Sequence, residues 1–257
     1  MLTAGRGAFQ LYADGMLRLS TIDAARRREA MAHPVMMAAG RRQRVLLLGG
    51  GDGGALRELL RYPDVAEVTL VEPEASLVEL SSAQPVLVAE NGGALGSSRV
   101  RLHTSDPVGF LGADATRYDV IVVDLLDPEG PRRSKWFTRY FYRQLGEHLA
   151  PDGVGALVAS ASPLAQRQAF WSVVATVEAA GLVALPYRAA LPTLGPWGHV
   201  LFAHHPLAAP AGASLPAGLQ HLDAVVLADM FTLAPDEQRV AADVNLLHRQ
   251  VLPRYRQ

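Results

Sequence analysis

Residues 44–72 read RVLLLGGGDGGALRELLRYPDVAEVTLVE, the order of a buried strand, a glycine turn, a helix and a second strand ending in a carboxylate. Val45 to Leu48 form a continuous apolar run, as in a parallel strand covered on both faces. Gly49, Gly51 and Gly54 fit the G-x-G-x-x-G spacing that lets the backbone turn tightly beneath a ligand. Glu72 follows Gly54 by 18 residues. At the end of the next strand, its carboxylate is placed to accept both hydroxyls of a ribose.

Asp52 lies inside that loop and helps to choose the ligand. A dinucleotide would set its pyrophosphate on the helix N-terminus, beside a fixed negative charge. A sulfonium nucleoside such as S-adenosylmethionine, or its decarboxylated form, brings no phosphate and carries a positive charge, so the same carboxylate attracts it. The alternative is that Asp52 serves only as a helix N-cap.

Composition sets the outer limits. The 257 residues are 49% hydrophobic and 19% charged, enough for one large core, or a main domain with a small appendage. With no cysteine, the chain has no disulfide, no thiolate nucleophile and no Cys-based zinc site. A formal net charge of -1 argues against a nucleic-acid partner, although Arg26, Arg27, Arg28, Arg41, Arg42 and Arg44 make the N-terminal quarter locally basic. No apolar stretch reaches the roughly 18 residues needed to cross a bilayer, and no signal-peptide core follows Met1. A cytoplasmic location is the default expectation. The eight histidines are scattered without an H-E-x-x-H pattern, so no metal site is expected, and Ser160 and Ser162 lack a G-x-S-x-G elbow.

Strands alternate with helices from Arg44 to about Phe202, which predicts an α/β fold with a doubly wound, Rossmann-like and mostly parallel sheet of the class I methyltransferase kind. Strands are expected at 45–48, 67–71, 100–103, 120–124, 154–160, 183–190 and 199–204. Helices are expected at 22–38, 54–62, 75–88, 134–149 and 163–180. Alternation around Asp14-Gly15 predicts a short N-terminal β-hairpin. The expected division is 1–40 for hairpin and helix, 41–205 for the nucleoside-binding domain, and 206–257 for a linker and C-terminal helices packed on that domain.

Further carboxylates stand at strand ends, which face the ligand crevice of such sheets. Asp124 closes the buried run YDVIVVD and is followed by Asp127 in a Pro- and Gly-rich loop; Asp106 follows the strand 100–103. Each taken alone could be a cap or turn residue. Asp52, Glu72, Asp106 and Asp124 at successive strand ends form a pattern.

At these residues the chain resembles the spermidine synthase family of polyamine aminopropyltransferases, in a bacterial branch often fused to a membrane region. GGGDGGALRELLRYPDVAEVTLVE is similar to the family's nucleoside-binding signature, and YDVIVVDLLDPEGP to its Asp-x-x-Asp-Pro gate. LYADGMLRLSTIDAARRREAMAHP, PTLGPWGHVLFA and MFTLAPDEQRVAADVNLLHRQVLPRY extend the similarity over most of 11–255. The resemblance implies transfer of the aminopropyl group of decarboxylated S-adenosylmethionine to an amine such as putrescine, giving spermidine and methylthioadenosine. It implies that Asp52 meets the aminopropyl amine, Glu72 the ribose and Asp106 the adenine, while Asp124 acts as the base and Asp127 orients the acceptor. It implies neither a metal nor a resident cofactor, and it makes a homodimer the expected assembly. Much of the N-terminal β-domain of family members has no counterpart here.

Departures gather on the acceptor side. Arg18 stands where the family usually has Gln, Arg27 where it has Tyr, Arg28 where it has His or Gln, and Ala159 where Gln is frequent, while Leu194 lies near the place of a substrate-binding Tyr. These arginines either face solvent, as charge runs commonly do, or line the pocket and alter the acceptor or donor. A methyltransferase on the same sheet and a non-catalytic nucleoside-binding homologue are the alternative functions.

Overall fold

Three short strands precede the main sheet: β1 (Leu2–Gly5), β2 (Ala8–Ala13) and β3 (Met16–Ser20), antiparallel in that order. The structure, a computed structural model, describes residues 2–5, 8–13, 15–125, 127–128, 130–211 and 215–255. Asp14 of the expected hairpin tip, Glu129 and the side chains of Arg18 and Arg132 lie outside the described residues. The expected hairpin is β2–β3, with Leu11 opposite Leu19; these two side chains are buried with Leu87.

The chain continues through α1 (Ala24–Ala38), β4 (Arg44–Gly49), α2 (Gly54–Leu59), β5 (Glu67–Val71), α3 (Ala75–Ala83) and α4 (Pro85–Asn91). One helix expected over 75–88 is therefore two. Pro85 has no N–H to donate and pushes the residue before it out of the helical region, and Gln84 is extended at φ -81°, ψ 121°. Next come β6 (Val100–His103), α5 (Pro107–Ala113), β7 (Tyr118–Asp124), α6 (Gly130–Ser134), a 3-10 turn over Lys135–Phe137, α7 (Arg139–His148) and β8 (Leu149–Val158). The last elements are α8 (Arg167–Ala179), β9 (Val183–Leu191), β10 (Gly195–Ala203), α9 (Ala224–Met230) and α10 (Leu252–Tyr255).

Seven strands form the main sheet in the order β6-β5-β4-β7-β8-β10-β9. Pairing is parallel except for β10, which runs antiparallel to both β8 and β9. In β4, Val45 and Leu47 join the apolar cluster containing Met31, Val35 and Met36 of α1, while Leu46 and Leu48 join the opposite cluster with Phe141, Phe170 and Val174. Two covered faces are why this strand reads as an unbroken apolar run.

α1 packs on the sheet despite Pro34 in its interior. A proline there leaves the carbonyl four residues earlier, that of Ala30, without its helical donor. The Tyr187 hydroxyl, on β9, donates to that carbonyl at 3.1 Å, and the Tyr187 side chain is fully buried. Its ring stacks between His199, at 5.0 Å, and Phe231, at 4.9 Å. Backbone anchors hold the C-terminal stretch, in which α9 and α10 are the helices among the described residues. The buried Glu29 carboxylate accepts from the N–H groups of Gln220, His221 and Leu222 at 2.7, 3.0 and 2.7 Å.

Tyr187→Phe is expected to destabilise the chain by about 1–2 kcal/mol, because the buried Ala30 carbonyl loses its donor. In the double variant with Pro34→Ala, the new N–H of residue 34 supplies that donor, so the loss on removing the hydroxyl should shrink. A urea-unfolding double-mutant cycle measures it, and additive effects would refute the pairing.

Candidate functional site

β4 has β5 on one side and β7 on the other, so the chain leaves the sheet in opposite directions from adjacent strand ends and opens a crevice there. Gly49 pairs with Asp124 across this junction, at φ +78°. A Cβ on Gly49 would lie 2.3 Å from the Asp124 carbonyl oxygen, a separation that only glycine avoids. The next residue fastens the turn: Gly50 N–H donates to the same carbonyl at 3.2 Å. Gly51 is required for a different reason. Its N–H donates to Glu72 Oε2 at 2.8 Å, and a Cβ there would lie 2.6 Å from Glu72 Cγ.

Glu72 also accepts from the Glu74 N–H at 3.0 Å through Oε1, so backbone donors hold both carboxylate oxygens at the end of β5. Asp52 accepts from the Gly54 N–H at 2.8 Å through Oδ1. Asn91, at the end of α4, fixes the loop from the far side: its Nδ2 donates to the carbonyls of Asp52 and Ser81 at 3.1 and 3.0 Å.

Two clefts flank this loop. One of about 450 Å³ includes Leu19, Arg27, Met31, Asp52, Gly54 and Asp124 in its lining. The other, of about 210 Å³, is lined by Gly49, Glu72, Pro73, Leu77, Asp124, Leu125 and Trp136. Asp124 belongs to both. The structure thus brings together Gly49, Gly51, Asp52, Gly54, Glu72 and Asp124.

Asp106 and Asp127 line neither cleft. Asp106 caps α5, accepting from the N–H groups of Val108 and Gly109 at 2.9 and 3.4 Å, and its other oxygen pairs with Lys135. Burial alone would raise its pKa, but the Lys135 ammonium and the two N–H donors outweigh burial and hold it below the usual carboxylate value. Asp106 is thus the N-cap of α5 and also makes an ion pair to the 3-10 turn that carries Trp136.

The arginines of α1 do not form a solvated charge run. Arg28 is buried and donates to Glu58 at 3.1 Å, Glu90 at 3.0 Å and Gln220 at 2.9 Å. Glu58, itself fully buried, also meets Arg61 and His33. Burial pushes its pKa up, yet the His33 hydrogen bond and the neighbouring positive charges leave it lowered. Arg27 reaches the strand end directly: its Nη2 donates to Asp124 Oδ1 at 2.9 Å, with its side chain 25% exposed and that of Asp124 only 7%. The Arg18 side chain lies outside the described residues.

Sequence reasoning missed Asn91 as an organiser of the loop, since E-N-G-G reads only as a turn. Trp136, to which the sequence assigns no role, is a wall of the smaller cleft. His199 is the third omission. Val123 pairs with Leu157 and Val158 with His199, so a single strand separates His199 from Asp124. The Trp197 carbonyl, 3.2 Å from its Nδ1, can only accept, which places the ring proton on Nδ1. Burial pushes the His199 pKa down to about 4, against an opposing pull from that hydrogen bond and Asp124, with Arg27 adding to the depression. Among the described residues, no group of three His, Asp or Glu side chains is placed to hold a metal ion, and no helix is long and apolar enough to cross a membrane.

Gly49→Ala should force β4 and β7 apart at the Asp124 carbonyl and weaken nucleoside binding at least roughly tenfold, a shift readable by calorimetry. His199 gives a pH signature. Between its ordinary pKa near 6.5 and its folded value near 4, only the unfolded chain takes up the proton. Stability should therefore fall as pH drops through this window, by up to about 3 kcal/mol. His199→Phe should remove that slope in thermal unfolding followed from pH 7 to pH 4.

Residues 25–208 match the spermine/spermidine synthase domain. The chain is 35% identical to polyamine aminopropyltransferase 2 of Ralstonia nicotianae over 257 residues, which are 99% of this chain and 50% of that protein. It is 37% identical over 192 residues to a polyamine aminopropyltransferase of Oceanobacillus iheyensis, covering 75% of this chain and 37% of that one. The chain therefore spans about half the length, or less, of these curated relatives. In fold it is similar to a spermidine synthase solved in complex with the transition-state analogue AdoDATO, with a TM-score of 0.79, 22% identity, and 88% of this chain and 78% of that chain covered. The spermidine synthase of Thermotoga maritima gives a TM-score of 0.75 at 22% identity over 88% of this chain and 76% of that one. With the family domain matched from Ala25 to Ala208, the chain belongs to the spermine/spermidine synthase family.

Proposed function

We propose that the chain transfers the aminopropyl group of decarboxylated S-adenosylmethionine to an amine, with polyamine formation as the outcome. Putrescine, spermidine and methylthioadenosine are the acceptor and products that the family suggests. The carrying observation is that one buried carboxylate, Asp124, forms the common wall of two clefts that meet at a glycine loop. We assign the smaller cleft, with Glu72 and Trp136, to the ribose side of the nucleoside, and the larger to the aminopropyl chain and the acceptor. In this reading Asp52 attracts the cationic end of the donor and Glu72 accepts from the ribose, while the roles of Asp106 toward the adenine and Asp127 toward the acceptor rest on the family resemblance alone.

An aliphatic amine with a pKa of about 10 is mostly protonated at pH 7, and only its neutral form attacks carbon. Asp124 receives the ammonium, and its proton passes to the carboxylate as the nitrogen bonds to the methylene attached to sulfur. The carbon–sulfur bond breaks with its electron pair moving to sulfur. The sulfonium leaves as a neutral thioether, so no acid is needed for departure. What the site supplies is alignment and charge placement. A cytoplasmic homodimer is part of the same proposal and rests on the family resemblance alone.

Asp124→Asn should lower transfer by about 10²–10⁴-fold, the usual range for a lost general base, while leaving donor affinity within a few-fold. Glu72→Gln should instead weaken donor binding, with turnover at saturation less affected. Product analysis and calorimetry on the same samples separate the two. Tighter binding of intact than of decarboxylated S-adenosylmethionine, with methyl transfer, would replace this reading by the methyltransferase one.

A further inference from the structure

The ion pair between Arg27 and Asp124 bears on which amine the larger cleft accepts. Among the described residues, the charged groups in its lining are Arg27, Arg28, Asp52, Glu90 and Asp124. Arg28 is committed to Glu58, Glu90 and Gln220 in the interior, and Asp52 takes part in the loop through Gly54. Arg27 is different, since its side chain is a quarter exposed and reaches the strand-end carboxylate from a flexible stem. Leu19, Ala24, Met31 and Ala55 supply apolar wall between these charged groups, a surface suited to a short methylene chain.

We infer that the acceptor is an amine bearing a carboxylate at the far end of a short methylene chain, with Arg27 as the residue that selects it. The inference rests on the aminopropyl-transfer reading and names its acceptor class. A plain diamine must compete with the guanidinium for Asp124, and it brings a second cation without bringing an anion of its own for the displaced one. An amine with a carboxylate allows an exchange. Its ammonium takes Asp124 while Arg27 rotates to the incoming carboxylate, whose two oxygens match the guanidinium fork. With 4-aminobutyrate, which brings one charge of each sign, the exchange keeps both Asp124 and Arg27 paired. The nearby guanidinium also favours the neutral form of the attacking amine. Bond changes are those of the aminopropyl transfer itself: nitrogen bonds to the methylene, sulfur leaves with the electron pair, and Asp124 receives the amine proton.

The test compares putrescine, ornithine and 4-aminobutyrate as acceptors, with decarboxylated S-adenosylmethionine as donor. It uses the whole chain and its Arg27→Tyr and Arg27→Lys variants. Ornithine is putrescine with a carboxylate added, and 4-aminobutyrate replaces one amine end by a carboxylate. The unmodified chain should prefer ornithine to putrescine in kcat/KM by at least about tenfold, and Arg27→Tyr should reverse that order. Arg27→Lys, with charge but no fork, should fall between them. The alkaline-rising limb of the pH–rate profile should move up in Arg27→Tyr, a change that a merely structural arginine would not produce. Thermal unfolding checks that the variants fold.

Preference for putrescine by the unmodified chain, or an acceptor ratio that Arg27→Tyr leaves unchanged, overturns the inference while the transfer reading stands. A rise in putrescine transfer in Arg27→Tyr, with no use of ornithine by either form, also overturns it and makes Arg27 a brake. If no acceptor is turned over, calorimetry of the three acceptors on methylthioadenosine-loaded protein decides separately. Arg27-dependent binding of the carboxylate-bearing amines would support the cleft assignment and sink the reaction; equal or weaker binding than putrescine would sink the inference.

Discussion

Everything at the strand ends depends on how closely β4 passes β7. Gly49 sits against the Asp124 carbonyl, and Gly50 is hydrogen-bonded to the same oxygen. That contact sets the origin of the glycine loop, so Gly51 meets Glu72 on one side and Asp52 turns toward the larger cleft on the other. A side chain at position 49 would separate the strands and move the Asp124 and Glu72 carboxylates relative to each other. A close backbone approach thus fixes the positions of groups that lie 75 residues apart in sequence, Gly49 and Asp124 being numbered 49 and 124.

α1 is the second organiser. Successive residues on a helix point about 100° apart, and Arg27, Arg28 and Glu29 use three consecutive directions. Arg27 reaches Asp124 on β7, Arg28 reaches Glu58 and Glu90 on α2 and α4, and Glu29 gathers three backbone donors from the C-terminal stretch. Buried charges of this kind are costly to break from one side. Pro34 then releases the Ala30 carbonyl one turn later, and Tyr187 binds it to β9. One helix therefore joins the sheet, the glycine loop and the C-terminal segment.

The sheet was legible because its signal is local: Val45–Leu48 and Tyr118–Asp124 are apolar runs that only a doubly covered strand needs. Asp52, Glu72 and Asp124 were legible because carboxylates at the ends of such runs face a crevice by topology alone. Pairing between distant side chains was not. R-R-R at 26–28 has the look of a solvated run, and nothing near it in sequence announces Asp124, Glu58 or Glu90. The break between α3 and α4 was readable from Pro85 and was hidden by the apolar residues around it. Asn91 and His199 went unseen for a related reason: each acts through a residue brought close only by the completed sheet. The same holds for Asp106, whose ion pair with Lys135 joins residues 29 apart in sequence.

Asp124 as a wall common to both clefts has a thermodynamic consequence. A molecule that shifts the charge or the position of this carboxylate from one cleft changes the affinity of whatever occupies the other. Linkage requires the second occupant to act back on the first by the same factor. The guanidinium of Arg27 lies on that path, since releasing it from Asp124 alters the field felt in both spaces at once. The two clefts share this carboxylate, so the charge met in one is tied to what occupies the other.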